Sequence, residues 1–362
     1  MEPLPALGVY APAEGSPTGV DRYARLLNAA LGNRGRVLPG DRGTVALYHL
    51  ANNPLHAEAY RQSLRRPGIV LLHDALLQHF FLATCSESGY VDEFVFNYGN
   101  WGRELARELY RGQSRSGLRR EYYDYPLLRR PLEHARAVLV HNRAAAEAAR
   151  RHAPDARIVE IPHLGLCPAE PEPVDVLRFR DRLKIPLNAF VFSIFGYLRE
   201  SKRPLAAIRA LPPGAILLLA GDPVSRDLPR SLGALASVPG LRRTGFLGDG
   251  DFRLAAAATD VCINLRDPSA GETSGIAIQL MGMGRPVMVS EGAEVEGFPP
   301  GACPRIPRGV LEEETLRAVM LWLASHRNDA RRMGAAARAH IALQHAPDRV
   351  ADAIWSVAAS LA

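Results

Sequence analysis

Short apolar runs alternate with amphipathic stretches along nearly the whole chain. A short apolar run bounded by turn residues predicts a buried strand, whereas apolar residues spaced three or four apart predict a helix with one buried face. Strands that alternate with helices are typical of parallel sheets covered by helices on both faces. The pattern therefore predicts an α/β fold with two doubly wound sheets.

Each half of the chain contains the strands and helices of one predicted sheet. In the first half the strands are expected at residues 6–10, 44–50, 69–72, 137–140 and 158–161. The helices there are expected at 20–31, 56–65, 76–85, 91–111 and 143–151. In the second half the strands are expected at 190–195, 215–220, 241–244, 261–265 and 286–289. The helices between them are expected near 204–211, 251–258, 275–283 and 313–326.

A proline-rich stretch at residues 168–173 separates the two halves, since proline continues neither a helix interior nor a central strand. We place the domain boundary there, with one domain at 1–170 and a second at 171–345. A short helix is expected at 175–183. A last helix at 347–361 has one apolar face, so we expect residues 346–362 to pack back on the first domain.

The composition narrows the class of protein. With 362 residues, 47% hydrophobic and 23% charged, the chain is typical of a globular protein of two domains. No apolar run approaches the roughly 20 residues that span a bilayer, and the start Met1-Glu2-Pro3 does not resemble a secretion signal. We expect a soluble, cytoplasmic protein.

Its four cysteines stand too far apart for a zinc site or a disulfide framework, and they are Cys85, Cys167, Cys262 and Cys303.

The formal net charge is +6, and Lys184 and Lys202 are the only lysines. GC-rich codon usage explains this arginine excess more simply than a nucleic-acid surface does, so no nucleic-acid partner is expected. Residues 111–130 form a basic stretch with interleaved tyrosines. Such a stretch could contact an anionic acceptor or the inner face of a membrane. We expect at most peripheral membrane contact.

The most informative segment is the turn that follows the predicted strand 261–265 and opens a helix. Ligands of open α/β sheets bind beyond the carboxyl ends of the strands. Small residues at a helix N-terminus offer N–H groups to an anion, so Thr273, Ser274 and Gly275 are expected phosphate contacts. The alternative is that Thr273 or Ser274 is only an N-cap. Glu272 favours the first interpretation, because a carboxylate beside a phosphate site needs sugar hydroxyls to bind.

A second candidate segment follows the predicted strand 190–195. Gly196 is followed by a loop with the cations Arg199, Lys202 and Arg203. Because lysine is scarce in this chain, we expect Lys202 to neutralise a diphosphate, with Arg199 or Arg203 as a second contact. For Arg203 plain surface charge is an equal alternative.

Two strand ends in the first half carry further candidates. His73 and Asp74 follow the predicted strand 69–72, where His73 would bind a sugar hydroxyl or orient an acceptor. Asp74 would then fix the tautomer of His73 or bind the acceptor, and a structural histidine is the alternative. The loop 14–20 follows the first strand and is small enough to let a substrate approach its backbone.

Together these segments resemble family 4 glycosyltransferases of the GT-B fold. The resemblance runs in order over nearly the whole chain and rests on residues 14–20, 72–74, 138–141, 195–203, 271–275 and 284–287. A segment at 97–102 is similar to a subgroup associated with bacterial surface-polysaccharide synthesis. The resemblance implies two Rossmann-like domains that face each other across a cleft. The N-terminal domain would bind the acceptor and the C-terminal domain the nucleotide sugar.

The resemblance also implies roles for single residues. Lys202 and Arg199 would hold the donor diphosphate, which Gly19 would approach as well. Glu272 and His73 would contact the donor sugar. The expected catalytic residues are His73, Asp74, Glu272 and Lys202. The expected donor-binding residues are Gly19, Gly196, Arg199, Lys202, Gly245, Phe246, Glu272, Thr273, Ser274, Gly275 and Gln279. The acceptor is expected near His79, Tyr98 and Trp101.

Two positions depart from the pattern of the family. Gln279 stands where members often have a second glutamate that binds the ribose, and Tyr197 stands where an arginine commonly follows the glycine. The amide of Gln279 can still form a hydrogen bond with a ribose hydroxyl, but the usual contact with the sugar nucleotide changes. Neutralisation of the phosphates would depend more heavily on Lys202 and Arg199.

The implied function is transfer of a sugar, with retention, from a nucleotide-diphosphate sugar to a hydroxyl acceptor, with no metal or other cofactor. UDP- or GDP-sugars are the expected donors, and the acceptor would be a glycan, a lipid-linked molecule or a small molecule. An epimerase or a pyridoxal-dependent phosphorylase is the alternative among enzymes. From another class, Gln279 and Tyr197 favour a catalytically silent sugar-nucleotide-binding subunit of a glycosyltransferase complex. A dinucleotide-binding dehydrogenase is disfavoured because no strand is followed by G-x-G-x-x-G.

Overall fold

The computed structural model describes residues 5–16, 18–225 and 227–362. The start of the chain, on which the expectation about secretion rests, and Pro17 of the first glycine loop lie outside the described residues. Contacts between residues divide the chain into two units. Unit 1 comprises Met1–Leu164, Pro268–Thr273 and His345–Ala362, and unit 2 comprises Gly165–Asp267 and Ser274–Gln344.

Unit 1 is built on a six-stranded sheet in the order β2-β1-β3-β4-β5-β6. All of its strand pairs are parallel. The strands are β1 (Leu7–Tyr10), β2 (Val37–Pro39), β3 (Val45–Leu50), β4 (Ile69–Leu72), β5 (Ala137–Val140) and β6 (Ile158–Glu160). The helices are α1 (Gly19–Gly32), α2 (Ala57–Arg65), α3 (Gln78–Thr84), α4 (Glu87–Tyr98), α5 (Arg103–Arg111), α6 (Arg129–His134) and α7 (Arg143–His152).

Unit 2 contains a second parallel six-stranded sheet, in the order β12-β11-β10-β7-β8-β9. Its strands are β7 (Val191–Phe195), β8 (Ile216–Ala220), β9 (Leu241–Arg243), β10 (Val261–Asn264), β11 (Val287–Ser290) and β12 (Arg305–Ile306). Its helices are α8 (Pro173–Arg182), α9 (Pro204–Ala210), α10 (Leu228–Ala234), α11 (Asp249–Ala257), α12 (Gly275–Gly282), α13 (Glu312–Ser325) and α14 (Arg327–Gln344). The predicted α/β class with two doubly wound sheets is confirmed.

The final helix, α15 (Pro347–Ala359), belongs to unit 1 and packs against α1. The indole Nε1 of Trp355 donates a hydrogen bond to the carbonyl oxygen of Leu31 at 3.1 Å. Val350 and Ile354 are fully buried in the same cluster. The end of the chain therefore completes the core on one face of the first sheet.

Both faces of each sheet are buried, which explains why the strands are short continuous apolar runs. In β3, Val45 and Leu47 join the core beneath α1 and α15, while Tyr48 and Leu50 join the core on the opposite face. In unit 2 the side chains of β7 and β8 divide in the same way between two clusters. Polar side chains at the strand ends therefore stand out against an apolar sheet.

Several elements differ from the prediction. The helix predicted at 91–111 is two helices, because Gly99 adopts a φ of +92° that ends α4 before α5 begins. The sequence pattern did not predict the short edge strands β2 and β12 or the helices α6, α10 and α14. Within the described residues, no helix combines the length and apolarity that crossing a membrane requires.

Candidate functional site

The turn Pro268–Thr273 packs on the loops of unit 1 that follow β4 and β5. Gly271 has a φ of +70°, and a Cβ on it would lie 2.8 Å from the Cβ of Ala75, so only glycine fits. The side-chain amide of Asn142 donates to the carbonyl of Gly271 at 3.0 Å and to Thr273 Oγ1 at 2.9 Å. Thr273 Oγ1 in turn donates to the carbonyl of His141 at 3.3 Å. The turn is therefore fixed beside the ends of two central strands.

Glu272 lies inside this turn. Its Oε2 accepts a hydrogen bond from the backbone N–H of Ala270 at 3.0 Å and lies 3.5 Å from Ser269 Oγ. The turn itself thus orients the carboxylate. The structure brings Glu272 into the same unit as His73, since Ala75 against Gly271 is only two residues beyond that histidine.

His73 and Asp74 follow β4, as predicted. Asp74 Oδ2 accepts a hydrogen bond from the backbone N–H of Asn52 at 2.7 Å. His73 Nε2 lies 2.9 Å from Nδ1 of His49, and the two rings stack with centroids 5.2 Å apart. The ring partner of His73 Nε2 is therefore His49, and the expected role of Asp74 stays a prediction. His49 was not predicted as a site residue, because it lies within an apolar strand, where a single histidine gives no signal in the sequence.

His49 and His73 belong to a larger group, the histidine cluster, in which four imidazoles surround the ring of Tyr23. Ring centroids of the histidines lie 4.7–6.1 Å from that of Tyr23. The four histidines are His49, His73, His141 and His163. Burial lowers the pKa of His49 to about 3 and that of His141 to about 4, and it holds the pKa of His73 and His163 well below the usual value. These rings are neutral at physiological pH.

No group of three or more His, Cys, Asp or Glu side chains is arranged as a metal site in the part of the chain that the structure describes.

In unit 2, the predicted phosphate turn opens helix α12. The Ser274 hydroxyl accepts a hydrogen bond from the N–H of Ala277 at 3.3 Å, so Ser274 is the N-cap and Gly275 the first helical residue. Ser274 therefore caps α12, and its contact with a phosphate stays a prediction. The hydroxyl of Thr273 donates to the carbonyl of His141 within unit 1. The helix dipole places partial positive charge at Gly275.

Lys202 lies at the carboxyl end of β7. Its Nζ donates to the carbonyl oxygen of Phe195 at 2.6 Å. Gly196 has a φ of +76°, and a Cβ there would lie 3.1 Å from this ammonium group. The N–H of Asp267 donates to the carbonyl of Ser201 at 2.9 Å, which places the Lys202 loop beside the end of β10. Lys202 is thus held at the strand edge where ligands of open sheets bind.

The two arginines of this loop have different surroundings. Arg203 Nε donates to Glu312 Oε1 at 2.7 Å, and the Glu312 side chain is only 2% exposed. Because a buried carboxylate needs its partner, this ion pair gives Arg203 a structural role. A contact of Arg203 with a phosphate stays a prediction. Arg199 is exposed and precedes a short 3-10 helix.

Arg266 is a further cation at this edge, and sequence analysis gave it no role. It follows β10, and its guanidinium donates to the carbonyl of Leu265 at 2.9 Å and to Ser274 Oγ at 3.4 Å. It therefore lies at the N-terminus of α12. A single arginine in an arginine-rich sequence is not informative, so only the three-dimensional position of Arg266 distinguishes it.

The fold has well-matched neighbours among solved structures. Anabaena HepE in complex with UDP superposes with a TM-score of 0.65 and 16% identity, over 98% of this chain and 99% of that chain. Sucrose-phosphate synthase from Thermosynechococcus elongatus superposes with a TM-score of 0.65 and 14% identity, over 98% of both chains. WaaG, a glycosyltransferase involved in lipopolysaccharide biosynthesis, superposes with a TM-score of 0.59 and 15% identity, over 96% of this chain and 99% of that chain. The chain has the GT-B fold. No protein-family model and no curated protein matches its sequence.

The remaining predicted donor residues occupy defined places in this GT-B chain. Gly19 is the first residue of α1, after the N-cap Thr18. Gly245 has a φ of +70°, and Phe246 beside it is 73% exposed. Gln279 lies in α12, and its Oε1 is buried without a hydrogen-bond partner among the described residues. That atom is free to accept a bond from a ligand hydroxyl.

The three predicted acceptor residues of the GT-B chain have different surroundings among the described residues. Leu127 N–H donates to the Tyr98 hydroxyl at 3.0 Å, and the Tyr98 ring packs on Phe94. His79 Nδ1 lies 2.9 Å from the Asn52 amide. Trp101 is 69% exposed. Tyr98 therefore takes part in the packing of unit 1, and its role as an acceptor contact stays a prediction.

A surface groove of about 570 Å³ lies between α8 and α11 of unit 2. Two of its cations are paired with acids, since Arg182 lies 2.8 Å from Asp251 and Arg178 lies 3.3 Å from Asp175. Arg253 donates to the carbonyl of Ala169. The groove does not include the strand ends that carry the predicted residues. It is therefore not a candidate for the site.

Proposed function

We propose that this protein is a retaining, metal-independent glycosyltransferase that moves a sugar from a nucleotide-diphosphate sugar to a hydroxyl acceptor. The observation that carries the proposal is the Lys202 ammonium at the end of β7, in a GT-B fold whose neighbour HepE binds UDP and UDP-glucose. A UDP- or GDP-sugar is the proposed donor, and the family 4 resemblance supports retention. A cytoplasmic role in polysaccharide synthesis fits the similarity to WaaG.

Lys202 and the N-terminus of α12 would act on the diphosphate. Cleavage of the glycosidic bond builds negative charge on the leaving phosphate, and positioned donors stabilise that charge as it develops. Ser274 and Gly275 begin the helix whose dipole favours an anion there. The acceptor hydroxyl then attacks from the same face, and the leaving phosphate oxygen takes its proton.

Arg266 would supply the second positive charge. The arginine that the family carries after the glycine is Tyr197 here, with 36% of its surface exposed. Arg266 lies against the N-cap of α12, where a guanidinium can bind phosphate oxygens in a bidentate manner. Arg199 is the alternative second cation, since its exposed side chain is on the Lys202 loop.

Glu272 and His73 would contact the donor sugar. The Glu272 carboxylate is oriented by its own turn, and that turn is fixed beside the end of β4 that carries His73. A carboxylate and an imidazole suit the hydroxyls of a hexose as acceptor and donor. Gln279 would bind the ribose through its unpaired Oε1.

The direct test is to measure release of nucleoside diphosphate from UDP- and GDP-sugars, with and without added glycan acceptors. Lys202→Ala should lower kcat/KM by about 100- to 1000-fold, as loss of one electrostatic donor does in other enzymes. Lys184→Ala is the matched control, because it removes the only other lysine of the chain. Equal turnover in both variants would refute the role of Lys202.

A second candidate is a silent sugar-nucleotide-binding subunit, which Gln279 and Tyr197 favour because both depart from the family pattern. Slow hydrolysis of the donor in the absence of an acceptor would exclude it. Binding of a nucleoside diphosphate without any turnover, across a broad set of donors and acceptors, would support it.

A further inference from the structure

We infer that His49 is a positioning residue for His73, which it fixes in the tautomer that carries its proton on Nδ1. The inference deepens the proposed function, since it rests on His73 as a contact to the donor sugar. It starts from the distance of 2.9 Å between His49 Nδ1 and His73 Nε2. His49 is fully buried in the central strand β3, so its ring has a fixed position.

Only one proton can occupy the contact between the two rings. Both imidazoles are neutral, because burial lowers the pKa of His49 to about 3 and the pKa of His73 well below its usual value. A neutral imidazole has a proton on one nitrogen and a lone pair on the other. Either His49 donates from Nδ1, or His73 donates from Nε2.

The second nitrogen of His49 decides between these arrangements. His49 Nε2 is buried and has no hydrogen-bond partner among the described residues. If His73 donated, the proton of His49 would sit on that Nε2, which would bury an N–H without an acceptor. If His49 donates, only a lone pair is left there, and an unpaired buried acceptor is more common in proteins than an unpaired N–H. The hydrogen-bond network therefore assigns His49 as the donor.

The assignment determines what His73 can do. With Nε2 accepting from His49, the proton of His73 is on Nδ1, where it can donate to an oxygen of a sugar. His73 is then a hydrogen-bond donor and not a general base. The geometry explains why a buried histidine stands in β3, which the packing of an apolar sheet does not require.

The groups around His73 do not favour its charged form. The Tyr23 ring of α1 lies 5.0 Å away and the His141 ring after β5 lies 5.6 Å away. His56 and His163 also lower the pKa of His73. Asp74, the adjacent carboxylate, accepts a hydrogen bond from Asn52. An imidazole cluster of this kind keeps His73 neutral and makes its tautomer, not its charge, the controlled property.

The tautomer can be observed without an activity assay. We would label the histidines of the full chain with ¹⁵N and record the long-range ¹⁵N–¹H correlation spectrum, with His73→Asn to assign the ring. The inference predicts a protonated Nδ1 and an unprotonated Nε2 on His73. A protonated Nε2 would overturn it.

Kinetics test the consequence for the substrate. His49→Phe keeps a ring but removes both nitrogens, and we expect it to weaken use of the sugar nucleotide by about tenfold or more in kcat/KM. Binding of the bare nucleoside diphosphate should stay within about twofold, because His73 contacts only the sugar. His49→Asn restores a donor near Nδ1 and should recover most of the loss.

His345→Phe is the matched control, because it removes another buried histidine of unit 1, whose Nδ1 donates to the carbonyl of His163 at 2.6 Å. We expect the ratio between sugar-nucleotide use and diphosphate binding to be unchanged in this variant. A His49→Phe enzyme that loses both properties equally, as general damage to the fold would cause, contradicts the inference. If the wild type transferred no sugar at all, the proposed function would fail, and the spectrum would still decide the tautomer.

Discussion

At the scale of single residues, the position of Lys202 depends on a glycine. The bare Cα of Gly196 leaves room for the ammonium group, and the same residue adopts a φ of +76° that L side chains rarely take. Phe195, one residue earlier, supplies the carbonyl that accepts from Nζ. The end of β7 thus shapes both the backbone and the placement of the charge.

Gly196→Ala should therefore damage both properties. The strained φ costs about 1–2 kcal/mol of unfolding free energy, and the new methyl group displaces the Lys202 ammonium. We expect weaker binding of a nucleoside diphosphate, measured by titration calorimetry, together with a lower urea midpoint. Gly233→Ala, at a helical glycine of α10 with open space around it, is the control and should leave binding unchanged. Normal diphosphate affinity in Gly196→Ala would contradict the account of this strand end.

The two candidate second cations are separated by a pair of matched substitutions. Arg266→Gln should weaken binding of the diphosphate by about tenfold, since a charged hydrogen bond is worth about 1.5–3 kcal/mol. Arg199→Gln, on an exposed side chain, should have a smaller effect because solvent screens it. The measurement is the dissociation constant at low and physiological salt. The reverse ranking would make Arg199 the second phosphate contact.

Lys202 could be predicted from the sequence, whereas His49 and Arg266 could not, and the reason is physical. Lys202 is one of two lysines, so its type and its place after a strand are both unusual. Arg266 is one of many arginines, and His49 lies among apolar residues of β3 that indicate only a core. The contacts of these two residues depend on neighbouring strands that are distant in the sequence, so the sequence alone does not reveal them.

At the scale of elements, the turn Pro268–Thr273 is anchored by one residue, Asn142. Its Oδ1 caps α7 by accepting from the N–H of Ala145 at 2.8 Å, while its Nδ2 donates to Gly271 and Thr273. One side chain therefore links the start of a helix to the turn that carries Glu272.

Substitution of Asn142 can separate these two tasks. Asn142→Asp keeps the cap, since both residue types cap well, but removes the donor to the turn. Asn142→Ala removes both the cap and the donor, and it should lower the free energy of unfolding by about 1 kcal/mol more than Asn142→Asp does. We expect both variants to lose activity to a similar degree, as measured by kcat/KM, because both release the Glu272 turn. Full activity in Asn142→Asp would show that the anchoring of the turn is not needed.

The elements were predictable where large apolar residues mark the core. The strands β4 and β5 have the predicted boundaries because both faces are filled by valine, leucine and isoleucine. Helix α14 was missed because its buried face is made largely of small residues, among them Ala330, Gly334 and Ala337. A Cβ on Gly334 would lie 2.1 Å from the carbonyl oxygen of Gly284, so close packing, not hydrophobic pattern, determines that face.

At the scale of the whole molecule, unit 1 buries several neutral histidines, and this predicts how stability depends on pH. The ordinary pKa of 6.5 applies to the unfolded chain, whereas in the folded chain the pKa is about 3 for His49 and about 4 for His56 and His141. Between those values and 6.5 the unfolded state binds more protons. The free energy of unfolding therefore falls as the pH falls through this window.

We expect each such histidine to contribute about 1.4 kcal/mol per pH unit below its unfolded pKa. Urea unfolding at several pH values between about 7 and 5 measures the slope. His49→Phe should reduce that slope by about 1.4 kcal/mol per pH unit, because the unfolded state then binds one proton fewer. This comparison separates the contribution of the histidines from that of the carboxylates. A stability that does not change over this range would contradict neutral burial of the cluster.

Binding of a nucleoside diphosphate through Lys202 can be measured in a thermal-shift screen of the GT-B chain with UDP, GDP, ADP, TDP and CDP. A ligand that binds only the folded state raises its stability by RT ln(1 + [L]/Kd). We expect a clear rise in Tm for one diphosphate, UDP or GDP, that is lost in Lys202→Ala and kept in Lys184→Ala. No rise with any of the five, or an equal rise in both variants, would contradict it.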